Sequence, residues 1–79
     1  MLGTHYQTIT IRKGDVTMTG AEFRTWRRKH EISQQTVADN VDCNKSTISR
    51  WEKGELHLVP DLYKKVIIYY ETVENVIPL

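Results

Sequence analysis

From Gln7 to Thr19 the apolar residues Ile9, Ile11, Val16 and Met18 alternate with Thr8, Thr10, Arg12, Asp15, Thr17 and Thr19. Period-two alternation predicts strand, and a turn at Lys13 and Gly14 sets Ile11 opposite Val16 and Ile9 opposite Met18. A β-hairpin is therefore expected within residues 1–19, its apolar face covered by helices or by a second copy, since an isolated hairpin is marginal in water. The competing expectation is an unstructured leader. Beyond Thr19 the spacing becomes helical. Thr19 and Glu22 have the spacing of a capping box, and Phe23, Trp26, Arg27 and His30 share one face of a helix running from about Gly20 to near His30. Ser33 is an N-cap for a short second helix over 34–40 that turns Val37, Ala38 and Val41 inward. Asn44 is an N-cap for a third over 45–53, closed by Gly54.

After a loop at 55–58, Pro60 suits the first position of a last helix. There Leu62, Val66, Tyr69, Tyr70, Val73, Val76 and Ile77 recur at spacings of three and four. Ile67 and Ile68 widen that apolar arc and are read either as a subunit contact or as additional core. The expected fold class is mainly α, four helices preceded by the hairpin. It forms a single domain divided into an extension (1–19), the first three helices (20–54), and a loop with the long last helix (55–79).

Composition narrows the function. With 79 residues, 39% hydrophobic and 27% charged, the chain has the make-up of a small globule rather than a disordered segment. The net charge of +1 is uninformative, but residues 21–53 hold seven basic side chains (Arg24, Arg27, Arg28, Lys29, Lys45, Arg50, Lys53) against five acidic ones, which localises any positive face. The single cysteine, Cys43, has no partner for an intramolecular disulfide, and it is read as a small apolar plug rather than a redox switch. No signal-peptide or membrane-spanning pattern stands out, so a cytoplasmic location is expected. His5, His30 and His57 are scattered and no nucleophile, base and orienting group are suitably spaced, so neither a metal, a cofactor nor catalysis is expected.

Two short helices joined by a tight turn make a helix-turn-helix unit. The run Ile32-Ser33-Gln34-Gln35-Thr36-Val37-Ala38, followed by Ser46-Thr47-Ile48-Ser49-Arg50-Trp51-Glu52-Lys53-Gly54, resembles the helix-turn-helix of the phage Cro and repressor family, also called the xenobiotic-response-element family. The likeness extends from residue 20 to about 66 and implies a lambda-repressor-like bundle that binds double-stranded DNA. It further implies an internal ion pair between Arg27 and Glu52; the alternative is an exposed pair of little worth. The chain departs from the family where Asp42 replaces the usual turn glycine, at a position that often needs φ > 0. Aspartate tolerates that conformation better than most residues.

If the third helix enters the major groove by its N-terminus, its first, second, fifth and sixth residues reach base edges. These are Lys45, Ser46, Ser49 and Arg50, with Arg50 the best match for bidentate contact to guanine. Lys45 is open to a phosphate as well. Phosphate contacts are expected from Gln34, Asn44, Thr47 and Lys53, Asn44 combining contact with capping. The resulting expectation is a Cro-like repressor, bacterial or phage-encoded and acting in the cytosol or nucleoid. It would bind a pseudo-palindromic operator as a homodimer joined through the last helix, the hairpin or both. The alternative is a protein-binding module on the same scaffold, of the antirepressor or antitoxin type.

Overall fold

The computed structural model describes residues 17–74, and among these it contains four helices and no strand. In chain order they are α1 (Gly20–Lys29), α2 (Gln34–Val41), α3 (Lys45–Glu52) and α4 (Pro60–Glu74). The expected hairpin lies outside the described residues except for 17–19, which precede α1. Val76 and Ile77 also lie outside them.

Local chemistry starts each helix. At α1 the capping box is complete: the Glu22 amide donates to Thr19 Oγ1 (3.0 Å) and the Thr19 amide donates to Glu22 Oε1 (2.8 Å). At α2 the Thr36 amide donates to Ser33 Oγ (3.0 Å). At α3 the expectation needs correcting. Asn44 has the extended backbone of an N-cap, but its side chain makes no capping hydrogen bond. The Thr47 amide, which such a cap would serve, donates instead to the Asn44 main-chain carbonyl (3.0 Å).

The first three helices end alike. In each, the amide just after a left-handed residue reaches a carbonyl five residues back: Ile32 to Arg27 (3.0 Å), Cys43 to Ala38 (3.0 Å) and Glu55 to Arg50 (2.9 Å). This is the Schellman closure, which satisfies carbonyls otherwise left over at a helix end and needs one residue in the left-handed region. Glu31 (φ 57°), Asp42 (φ 61°) and Gly54 (φ 80°) fill that role.

The core is one cluster of Phe23 and Trp26 from α1, Val37, Ala38 and Val41 from α2, Ile48 and Trp51 from α3, and Val66 from α4. Phe23 sits between two indoles, with ring centroids 5.3 Å from Trp26 and 5.2 Å from Trp51. α1 crosses α3 so closely at Gly20 that a β-carbon there would stand 2.0 Å from the Trp51 carbonyl oxygen. α4 closes the other side of the bundle, with Tyr69 and Tyr70 edge-on to Trp26 and the Tyr63 hydroxyl accepting from the Met18 amide (2.8 Å). His30, expected on the inner face of α1, is exposed; its ring lies against Trp26 and its Nε2 is 3.2 Å from Glu74 Oε2. Of the two isoleucines of α4, Ile67 is 6% exposed and is part of the core, whereas Ile68 is 48% exposed.

Candidate nucleic-acid interface

α3 is eight residues long, too short to hold its shape alone, and its position is set from its inner face. Ile48 and Trp51 are buried there with Glu52. Burying a carboxylate is costly unless it is paired and hydrogen-bonded, and Glu52 is both. Arg27 Nε donates to Glu52 Oε2 and Arg27 Nη2 to Glu52 Oε1, each at 2.8 Å, a bidentate pair whose side chains are 10% and 1% exposed. The remaining Arg27 donor, Nη1, reaches the Ile32 carbonyl (2.9 Å), and Gln34 Nε2 donates to Glu52 Oε1 (3.0 Å). One carboxylate thus ties α1, α2 and α3 together. Among the described residues no buried side-chain polar atom lacks a partner.

The opposite side of α3 is polar. Asn44, Lys45, Ser46, Arg50 and Lys53 are exposed, while Thr47 and Ser49 are half-buried. Lys45, Ser46 and Arg50 belong to one short rigid helix, and Ser49 lies nearer the core than they do. Of the residues expected at phosphates, Asn44 is at the start of α3 and Lys53 just past its end, so the two bracket the helix. Gln34 is first in α2, where its main-chain amide lies at the positive end of the helix; its side-chain amide is engaged by Glu52. That engagement was not legible in the sequence, because nothing local marks a glutamine as the partner of a glutamate 18 residues away. Arg24 and Arg28, exposed on α1, are also absent from the expected contacts, for their i, i+4 spacing reads simply as a solvated helix face.

The turn before α3 holds the chain's one cysteine. Cys43 is half-buried against the core and its Sγ lies 3.5 Å from the Asn44 carbonyl. Burial and then the Asp42 carboxylate push its thiol pKa up, with Lys65 opposing, which keeps it protonated and poorly nucleophilic. Burial likewise raises Tyr69 and Tyr70. Among the described residues no group of three or more His, Cys, Asp or Glu side chains is placed to hold a metal, and no helix is long and apolar enough to cross a membrane.

A family model described as "Helix-turn-helix domain" matches residues 19–75, which takes in all four helices. Neither the curated proteins nor the solved structures give a match.

Proposed function

The chain belongs to the helix-turn-helix domain family of DNA-binding proteins, and from that premise we propose that it is a sequence-specific regulator of transcription, a Cro-like repressor acting on double-stranded DNA. The observation that carries the reading is the division of α3. Its inner face is fully committed to Ile48, Trp51 and the Arg27–Glu52 pair, and its outer face offers hydrogen-bonding side chains without a single large apolar anchor. A helix that docks protein is expected to carry aromatic, Leu or Met anchors where Ser46, Ser49 and Arg50 stand.

In this mechanism α3 enters the major groove by its N-terminus. Arg50 donates its planar fork to guanine O6 and N7, Ser46 and Ser49 adjust the fit, and Lys45 stands at the rim between bases and backbone. Asn44, Thr47, Lys53 and the main-chain amide of Gln34 hold flanking phosphates and fix the register. Asp42 is exposed, and its carboxylate must turn away from the backbone. Two copies are proposed to bind a pseudo-palindrome with half-sites about 34 Å apart. The exposed Ile68 and Val59 supply apolar surface for their contact.

Selecting bound duplexes from a random library tests the reading. The chain is expected to enrich one motif, and Arg50→Ala to weaken binding to it by about 1–3 kcal/mol, roughly 5- to 150-fold, while relaxing the preference at one base pair. Enrichment of no motif sinks the regulator. Unchanged duplex affinity in Arg50→Ala favours a protein partner for α3.

A further inference from the structure

We propose that the cleft between α1 and the starts of α2 and α3 seats a DNA backbone phosphate through Arg24, Arg28 and Lys45. The inference rests on the DNA-binding reading and extends its footprint from the helix-turn-helix unit onto the first helix. It also commits Lys45 to the backbone rather than the bases.

The cleft has a volume of about 410 Å³ and is lined by cationic side chains from two helices, Arg24, Arg27 and Arg28 of α1 and Lys45 of α3. Arg27 brings no net charge, because Glu52 neutralises it. Arg24, Arg28 and Lys45 are different: all three are exposed, and among the described residues none has a carboxylate partner. Of the carboxylates near in sequence, Glu31 and Asp42 lie outside the lining of the cleft and two others are engaged elsewhere. Glu22 closes the capping box at the far end of α1, and Asp39 accepts from Gln35 Nε2 (2.8 Å). No acidic side chain of the described residues lines the cleft.

Arg24 and Arg28, like charges four residues apart on one helix, repel each other, and an anion between them relieves that repulsion. A shallow surface lined by one sign of charge attracts such an anion. The guanidinium fork matches a phosphate better than an ammonium does, and two of the three cations are arginines. The three helices that form the cleft are joined at Glu52, so its cations stand on a fixed frame before any ligand arrives. Position then selects the ligand. Lys45 is the first residue of α3, the end proposed to enter the groove, and the group within reach beside a groove is the phosphodiester that borders it.

The test is a salt titration of duplex affinity for the full chain and for R24Q/R28Q, R24K/R28K and K64Q. Lys64 is exposed on α4 and outside the lining of the cleft, and it controls for the loss of a positive charge elsewhere on the protein. Neutralising one phosphate contributes about 0.9 to the slope of log affinity against log salt. R24Q/R28Q is expected to lose about that much slope and to bind about fivefold to tenfold more weakly at 0.1 M salt, equally for the enriched duplex and a scrambled one. R24K/R28K is expected to keep most of the slope, and K64Q to keep all of it. An unchanged slope in R24Q/R28Q overturns the seat, as does an equal fall in K64Q or a loss confined to the enriched sequence. A wild-type chain that binds all duplexes alike, with R24Q/R28Q still losing slope, sinks sequence-specific regulation and leaves the seat standing. A wild-type chain that binds no duplex overturns both.

Discussion

The two faces of α3 differ in how much freedom their residues retain. On the inner face every polar atom is spent: Glu52 accepts from Arg27 twice and from Gln34 once, and Ile48 and Trp51 are buried beside it. On the outer face Lys45, Ser46 and Arg50 are exposed and make no side-chain hydrogen bond among the described residues. An eight-residue helix cannot supply both its own rigidity and its own recognition. The division assigns rigidity to partners on α1 and α2, which frees the outer residues to vary with the sequence being read. Substitutions on the inner side should therefore change stability, and those on the outer side, such as Arg50→Ala, should change binding alone.

The largest effect is expected from Glu52→Ala. It leaves the buried Arg27 guanidinium and the Gln34 amide without their acceptor, and breaking a buried pair from one side costs about 3–5 kcal/mol. That approaches the whole stability of a small domain, so the variant should be largely unfolded by circular dichroism at 37 °C. A variant that melts like the wild type would mean that the three helices are held by apolar packing alone.

Gly20→Ala comes next. Its β-carbon would meet backbone, the Trp51 carbonyl oxygen at 2.0 Å and Glu52 Cα at 2.9 Å, and no side-chain rotation relieves that. α1 must move off α3, at a cost of about 1–3 kcal/mol typical of overpacking. Urea unfolding measures it. Because the shift also strains the Arg27–Glu52 pair, the losses in Gly20→Ala and Glu52→Ala should fall short of additivity in the double variant.

What the sequence disclosed and what it withheld follow the distance over which each feature is determined. The caps at Thr19 and Ser33, the helix stop at Gly54 and the left-handed Asp42 were legible because each depends on neighbours a few residues away. The outer and inner residues of α3 were separable by helical spacing for the same reason. Asn44 shows the limit of residue type: its backbone is that of an N-cap, yet the amide it would serve is already satisfied by a main-chain carbonyl. Gln34, Gly20 and the Arg24–Arg28–Lys45 cleft were out of reach, since each exists only where separate helices meet. Ile67 and Ile68 are adjacent on one apolar arc, and only the packing of α4 separates the buried one from the exposed one.

The smallest effect, and the cleanest test that the two sides are separable, lies at Glu31. It fills the left-handed position in the Schellman closure of α1, where Asp42 and Gly54 serve α2 and α3. A left-handed conformation costs an ordinary L-residue roughly 1–2 kcal/mol, and glutamate, unlike Asp42, has no short side chain suited to it. Glycine removes that cost but adds freedom to the unfolded chain, worth about 0.4–1 kcal/mol the other way. Glu31→Gly should therefore stabilise the protein by up to about 1.5 kcal/mol, a rise in the urea midpoint with an unchanged slope. Glu31 is exposed, before the start of α2 and outside the lining of the cationic cleft. The preferred base sequence should accordingly stay that of the wild type while the frame becomes firmer, and any change in affinity from losing the carboxylate should be equal for all duplexes. A change in the preferred base sequence would show that the turn after α1 sets how α3 is presented, and that the frame and the reading face are not independent.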